Sequence, residues 1–163
     1  MGHYYNYYNN KYNPGKKYSQ EEIKEPPATL TPKTKKASIP EFWKDNPCYT
    51  KAMNFATECG KLCVRLSQQN YIARNYADQL SRSSSSVLLN LSEAITSYIS
   101  YKERILRFSI CMREAHESIS NLLLIQEIFP TIVTEDEKNT LIKQATEIIA
   151  ILNKSIYTIK KKM

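Results

Sequence analysis

Glycine is almost missing from this chain: among 163 residues it occurs only as Gly2, Gly15 and Gly60. A Gly-x-Ser-x-Gly elbow or a glycine-rich phosphate loop needs backbone that only glycine supplies at several fixed positions, so both are excluded. Histidine is equally scarce, with His3 and His116 alone, which leaves no convergent set for a metal centre or a general base. No run approaches the roughly 18 apolar residues of a membrane helix. The N-terminus likewise has no apolar signal-peptide core. These absences point to a cytoplasmic, non-enzymatic protein with no membrane association, no catalytic residues, no metal and no cofactor.

What is present divides at about residue 40. Residues 1–40 open with MGHYYNYYNNKYNPGKKYSQ and continue through PPATLTPKTKKASIP, a Tyr/Asn-rich tract followed by a Pro/Lys/Thr segment without apolar periodicity. Such a composition buries too little apolar surface to offset the entropy of ordering, so a disordered tail is expected for 1–40 and a folded domain for 41–163. The tail holds 7 of the 23 Lys/Arg against 3 of the 16 Asp/Glu. A formal charge of +7 favours polyanionic partners such as RNA or DNA.

Four helical stripes follow. The first runs through Tyr49, Ala52, Ala56, Cys59, Cys63 and Leu66, with Asn46 as N-cap and Pro47 at the first helical position. The second, Ala77, Leu80, Ser84, Val87, Leu91, Ala94 and Tyr98, absorbs the serine run of RSSSSVLLNLSEA (82–94). Because Ser84 keeps the step, the run reads as a small face against a neighbouring helix, neither a linker nor a nucleophile. A capping box at Ser100–Glu103 opens the third, Tyr101, Ile105, Phe108, Met112, Ala115, Ile119, Leu122, Gln126 and Phe129, which stops at Pro130. Thr134–Glu137 caps the fourth, Leu141, Ala145, Ile148, Leu152, Ile156 and Ile159, which finishes in three lysines suited to a helix C-terminus. The fold expected is an all-α, antiparallel up-down-up-down four-helix bundle. Leu122–Ile125 and Ile148–Leu152 carry more apolar surface than one seam covers, which predicts self-association.

Cys48, Cys59, Cys63 and Cys111 sit inside helical patterns and read as reduced core thiols; Cys59 and Cys63 have metal-ligand spacing but lack the further ligands a site needs. Asn90 and Glu93 share one face and read as a polar contact fixing helix register. His116, between Glu114 and Glu117, reads as a surface side chain. The basic residues Lys61, Arg65, Arg74, Arg82, Lys102, Arg104, Arg107 and Arg113 are the candidate nucleic-acid contacts, with Arg104 and Arg107 read as pointing outward together. Tail tyrosines among lysines add a means of stacking unpaired bases.

The stretch 82–94, with its Arg, small residues, Asn90, Leu91, Glu93 and Ala94, and the segment SYISYKERILRFSICMREAHESISNLLLI after it resemble the bacterial ribosomal RNA intervening-sequence proteins. These are related to the accessory variability determinant proteins of diversity-generating retroelements. The resemblance covers about Trp43 to Lys160. It implies a homopentamer of bundles with a basic, nucleic-acid-binding surface and, in the retroelement branch, partnership with a reverse transcriptase in mutagenic complementary-DNA synthesis. Ala94 stands where the family often has glycine, and the tail is an addition. The other reading left open is a homo-oligomeric protein-interaction scaffold that binds no nucleic acid.

Overall fold

The computed structural model describes residues 46–96 and 99–163. The expected tail 1–40, the domain start at Glu41 and the stripe position Tyr98 lie outside them. The described residues form an all-α, antiparallel four-helix bundle: α1 (Pro47–Ser67), α2 (Tyr71–Ala94), α3 (Tyr101–Ile128) and α4 (Glu135–Lys160). Each helix packs on its neighbour in sequence, and α1 closes the bundle against α4. No described helix is long and apolar enough to cross a membrane.

Every described helix begins at a side-chain cap, which satisfies amides that have no carbonyl partner in the first turn. Asn46 Oδ1 accepts from the amides of Cys48 and Tyr49 at 3.0 and 3.2 Å, ahead of Pro47. Asn70 accepts from the Ala73 amide at 2.9 Å, Ser100 from Glu103 at 3.2 Å and Thr134 from Glu137 at 3.2 Å. Three acids occupy the first turn of α4 and Lys160 its last, matching the sign of charge to each end of the helix dipole.

The stripe expected for α4 is buried at all six positions. On α1 the buried face is wider than expected: Phe55 and Leu62 are fully enclosed while Ala56 is only half-buried. On α3 it is rotated, running Phe108, Cys111, Ala115, Ser118, Leu122, Ile125; Tyr101 is exposed and Met112, Ile119 and Gln126 are half-buried. The cause is the serine face of α2. Ser83 and Ser84 are buried; the small volume of Ser83 admits Ser118 from α3, while Ser84 meets Cys59 of α1. Ser118 Oγ donates to Ser83 Oγ at 2.8 Å, and Ser83 donates on to the Leu80 carbonyl. The Cys111 thiol meets the Val87 carbonyl at 3.4 Å. Both hydroxyls are therefore satisfied inside an otherwise apolar seam.

Candidate nucleic-acid interface

The antiparallel topology sorts the charges. One end of the bundle gathers the starts of α1 and α3 and the finishes of α2 and α4. Dividing each helix at its middle, residues 46–163 place nine cations there, among them Lys51, Lys102, Lys154, Lys160, Lys161 and Lys162, against the three acids Glu93, Glu103 and Glu114. The opposite half holds six cations against eight acids, including the Glu135–Glu137 run. The lysine-rich residues 1–45 join the chain at the basic end.

The eight basic residues singled out from the sequence do not form one surface. Lys61, Arg65, Arg74 and Arg82 lie toward the acidic end, and all four are engaged within the bundle. Lys61 pairs with Glu58 at 2.7 Å, Arg65 with Glu137 of α4 at 2.5 Å, and Arg82 with Asp78 and the Gln79 side chain. Arg74 Nε donates to the Ser67 carbonyl at 2.9 Å, tying α2 to the end of α1. Arg113 is exposed near mid-bundle beside Glu114. Exposed pairs of this kind contribute little to stability, about 0–1 kcal/mol, and can be traded for phosphate.

Arg104 and Arg107 correct the sequence reading, because neither projects freely. Arg107 Nη1 lies 2.6 Å from the Glu93 carboxylate and 3.4 Å from Asn90 Oδ1. The register-fixing contact expected of Asn90 and Glu93 thus exists, and its partner is this arginine. Arg104 is half-buried; its Nη2 donates to the Thr96 carbonyl at 2.9 Å, holding the α2–α3 connection. Its Nε is buried without a partner among the described residues. Lys102 alone of the eight is exposed with no described partner.

The lysines at the α4 terminus were read from the sequence only as helix-dipole partners. Their placement beside Lys102 depends on α4 ending where α3 begins, which a linear charge count does not display.

The four cysteines are free and buried. Burial pushes Cys59 and Cys111 up to about 12 and Cys48 and Cys63 up to about 11, so they remain protonated, unreactive packing groups near neutral pH. Among the described residues no three His, Cys, Asp or Glu side chains gather as a metal site. His116 is exposed.

A family model described as 23S rRNA-intervening sequence protein matches residues 44–154. A crystal structure of a protein of unknown function from the S23 ribosomal protein family of Bacteroides thetaiotaomicron superposes with a TM-score of 0.60 at 24% identity, covering 67% of this chain and 97% of that one. That likeness shows the shared fold. Among curated proteins no match was found.

Proposed function

This chain belongs to the 23S rRNA-intervening sequence protein family, and on that footing we propose that it is a non-enzymatic, self-associating accessory protein that holds nucleic acid, RNA first, by its phosphates. The observation that carries the reading is the segregation of charge: nine cations against three acids at one end of the bundle, counted over residues 46–163. Contacts of lysine ammonium groups with phosphate position a polyanion without reading bases, so affinity is broad in sequence and steep in salt. Residues 1–45 also carry Tyr4, Tyr5, Tyr7, Tyr8, Tyr12 and Tyr18 among Lys11, Lys16 and Lys17, a composition able to stack unpaired bases and so to favour single strands over duplexes.

Self-association is supported by apolar side chains that the bundle leaves uncovered. Leu123 and Leu124 are each 46% exposed and Ile128 41%, with Leu124 and Ile128 one turn apart on α3. A closed homo-oligomer, a pentamer in our reading, repeats the basic end around one rim and multiplies its attraction for phosphate. In the narrowest form of the proposal the nucleic acid is a retroelement template and the partner is its reverse transcriptase. The test is binding of the intact protein to single-stranded RNA across a salt series. A log–log slope of about −0.7 per phosphate neutralised supports the proposal. No salt-sensitive binding to RNA or DNA leaves a protein-only scaffold as the better account.

A further inference from the structure

The last turns of α4 bring an aromatic ring together with unpaired positive charge. After Glu147 the chain has no further acid, while residues 148–163 carry Lys154, Lys160, Lys161 and Lys162. Glu147 itself is engaged by Lys51 of α1 at 2.5 Å. The four lysines are exposed, and none of them forms an ion pair among the described residues. Tyr157 stands in their midst, three residues after Lys154, three before Lys160 and four before Lys161. These spacings place ring and cations on one side of the helix.

Tyr157 is 60% exposed, and the Lys161 ammonium lies 4.5 Å from its ring centroid, inside the roughly 6 Å of a cation–π contact. Such a contact is weak at an exposed site, so the ammonium can leave the ring for a phosphate and uncover it. The aliphatic surface offered for self-association, Leu123, Leu124 and Ile128, lies at the opposite end of the bundle, and Tyr157 does not extend it. A ring flanked by cations matches the chemistry of a nucleotide, whose base has a π-face and whose neighbouring phosphates are negative. Lys154 and Lys160 are six residues apart, about 9 Å along the helix, and their flexible four-carbon stems let both ammonium groups reach past the ring. We propose that Tyr157 is a stacking platform for one unpaired base of single-stranded RNA, with Lys154 and Lys160 on the phosphates that flank it. The inference rests on the phosphate-holding function proposed above and adds to it a contact with the bases. It disfavours a duplex, whose base faces are already covered by their neighbours.

The test compares, by fluorescence anisotropy, the binding of oligouridylate with that of an abasic strand of equal length, which has the same phosphates and no bases. The full-length protein should bind oligouridylate the more tightly. Tyr157→Leu keeps apolar bulk and removes the π-face; it should lower the ratio of the two affinities by about 5-fold or more. Tyr157→Phe should restore that ratio. Residues 1–40 are present in every variant, so their tyrosines cancel from the comparison. Because the side chain is mostly exposed, both variants should keep the helical signal in far-ultraviolet circular dichroism. A ratio that Tyr157→Leu leaves unmoved overturns the platform while phosphate holding stands. So does a ratio that Tyr157→Phe fails to restore, which assigns the effect to the hydroxyl and not to the ring. Loss of salt-sensitive binding to both strands in the wild-type protein is a different failure: it removes the function proposed above, and the platform with it.

Discussion

Ser118 on α3 and Ser83 on α2 join their hydroxyls at 2.8 Å in the middle of the seam between the two helices. Each is nearly solvent-free, and the pair stands where bulkier side chains would hold the helices apart. The contact sets both the spacing and the rotation of α3.

Enlarging this face should overpack it. Ser84→Leu is expected to destabilise the protein by about 1–3 kcal/mol, read as a lower urea midpoint at unchanged slope. A double-mutant cycle with Ser83→Ala and Ser118→Ala should give a coupling of about 0.5–1 kcal/mol from the lost hydroxyl–hydroxyl contact, since each remaining hydroxyl keeps a carbonyl acceptor, Leu80 for Ser83 and Glu114 for Ser118.

Arg104 and Arg107 should behave as structural residues. Arg107→Glu breaks the contacts to Glu93 and Asn90, and pairing it with Glu93→Arg should recover the loss. With both side chains partly exposed, the recovery is about 1 kcal/mol or less. Arg104→Glu places a carboxylate where the Thr96 carbonyl accepts a hydrogen bond, and should lower the midpoint more than Arg107→Glu does.

Phosphate binding should follow the basic end. Lys160→Glu, Lys161→Glu and Lys162→Glu together are expected to flatten the salt slope for RNA by about two units or more with the helical fold retained and only a small drop in thermal midpoint, since all three side chains are exposed and the change opposes the α4 dipole. The same change at Lys61 and Arg65 should have the smaller effect, measured by fluorescence anisotropy.

Self-association should depend on the uncovered face of α3. Leu124→Asp with Ile128→Asp is expected to convert the oligomer to smaller species by light scattering while the helical signal persists, because both side chains are substantially exposed.

The thiols make a prediction about alkaline pH. Burial raises each cysteine from 9.0 to about 11 or 12. Above pH 9 the unfolded chain releases these protons while the folded chain keeps them, so stability is complete below pH 9 and declines as pH climbs toward 12. Cys111→Ala should remove part of that slope in chemical denaturation. Native-state alkylation at neutral pH should be slow and should become fast on unfolding.

The fold was legible where side-chain volume and burial agree. On α4, from Leu141 to Ile159, the core positions are filled by aliphatics or alanine at steps of three and four, and each one is buried. On α3 they part company: Met112 and Ile119 are larger and more apolar than Cys111 and Ser118, so the stripe seemed to follow them. The smaller pair goes inside because α2 presents Ser83 to Ser118 and the Val87 carbonyl to Cys111, a fact that belongs to two helices and not to one. The polar role of Asn90 and Glu93 could be read from their spacing, but Arg107 as the third member could not, since it lies on another helix. The basic end was hidden for a similar reason. Cations and acids are mixed along the helices, and they separate only when antiparallel packing lays the start of one helix beside the finish of the next.

That separation turns the bundle into an electric dipole along its long axis. In an antiparallel bundle the backbone dipoles of adjacent helices oppose one another, so the axial moment comes from side chains alone. Near a chain of phosphates such a body experiences a torque as well as an attraction, and it rotates its lysine-bearing end forward before any contact forms. Added salt therefore acts first on the rate of arrival, and only afterwards on how long the two remain together.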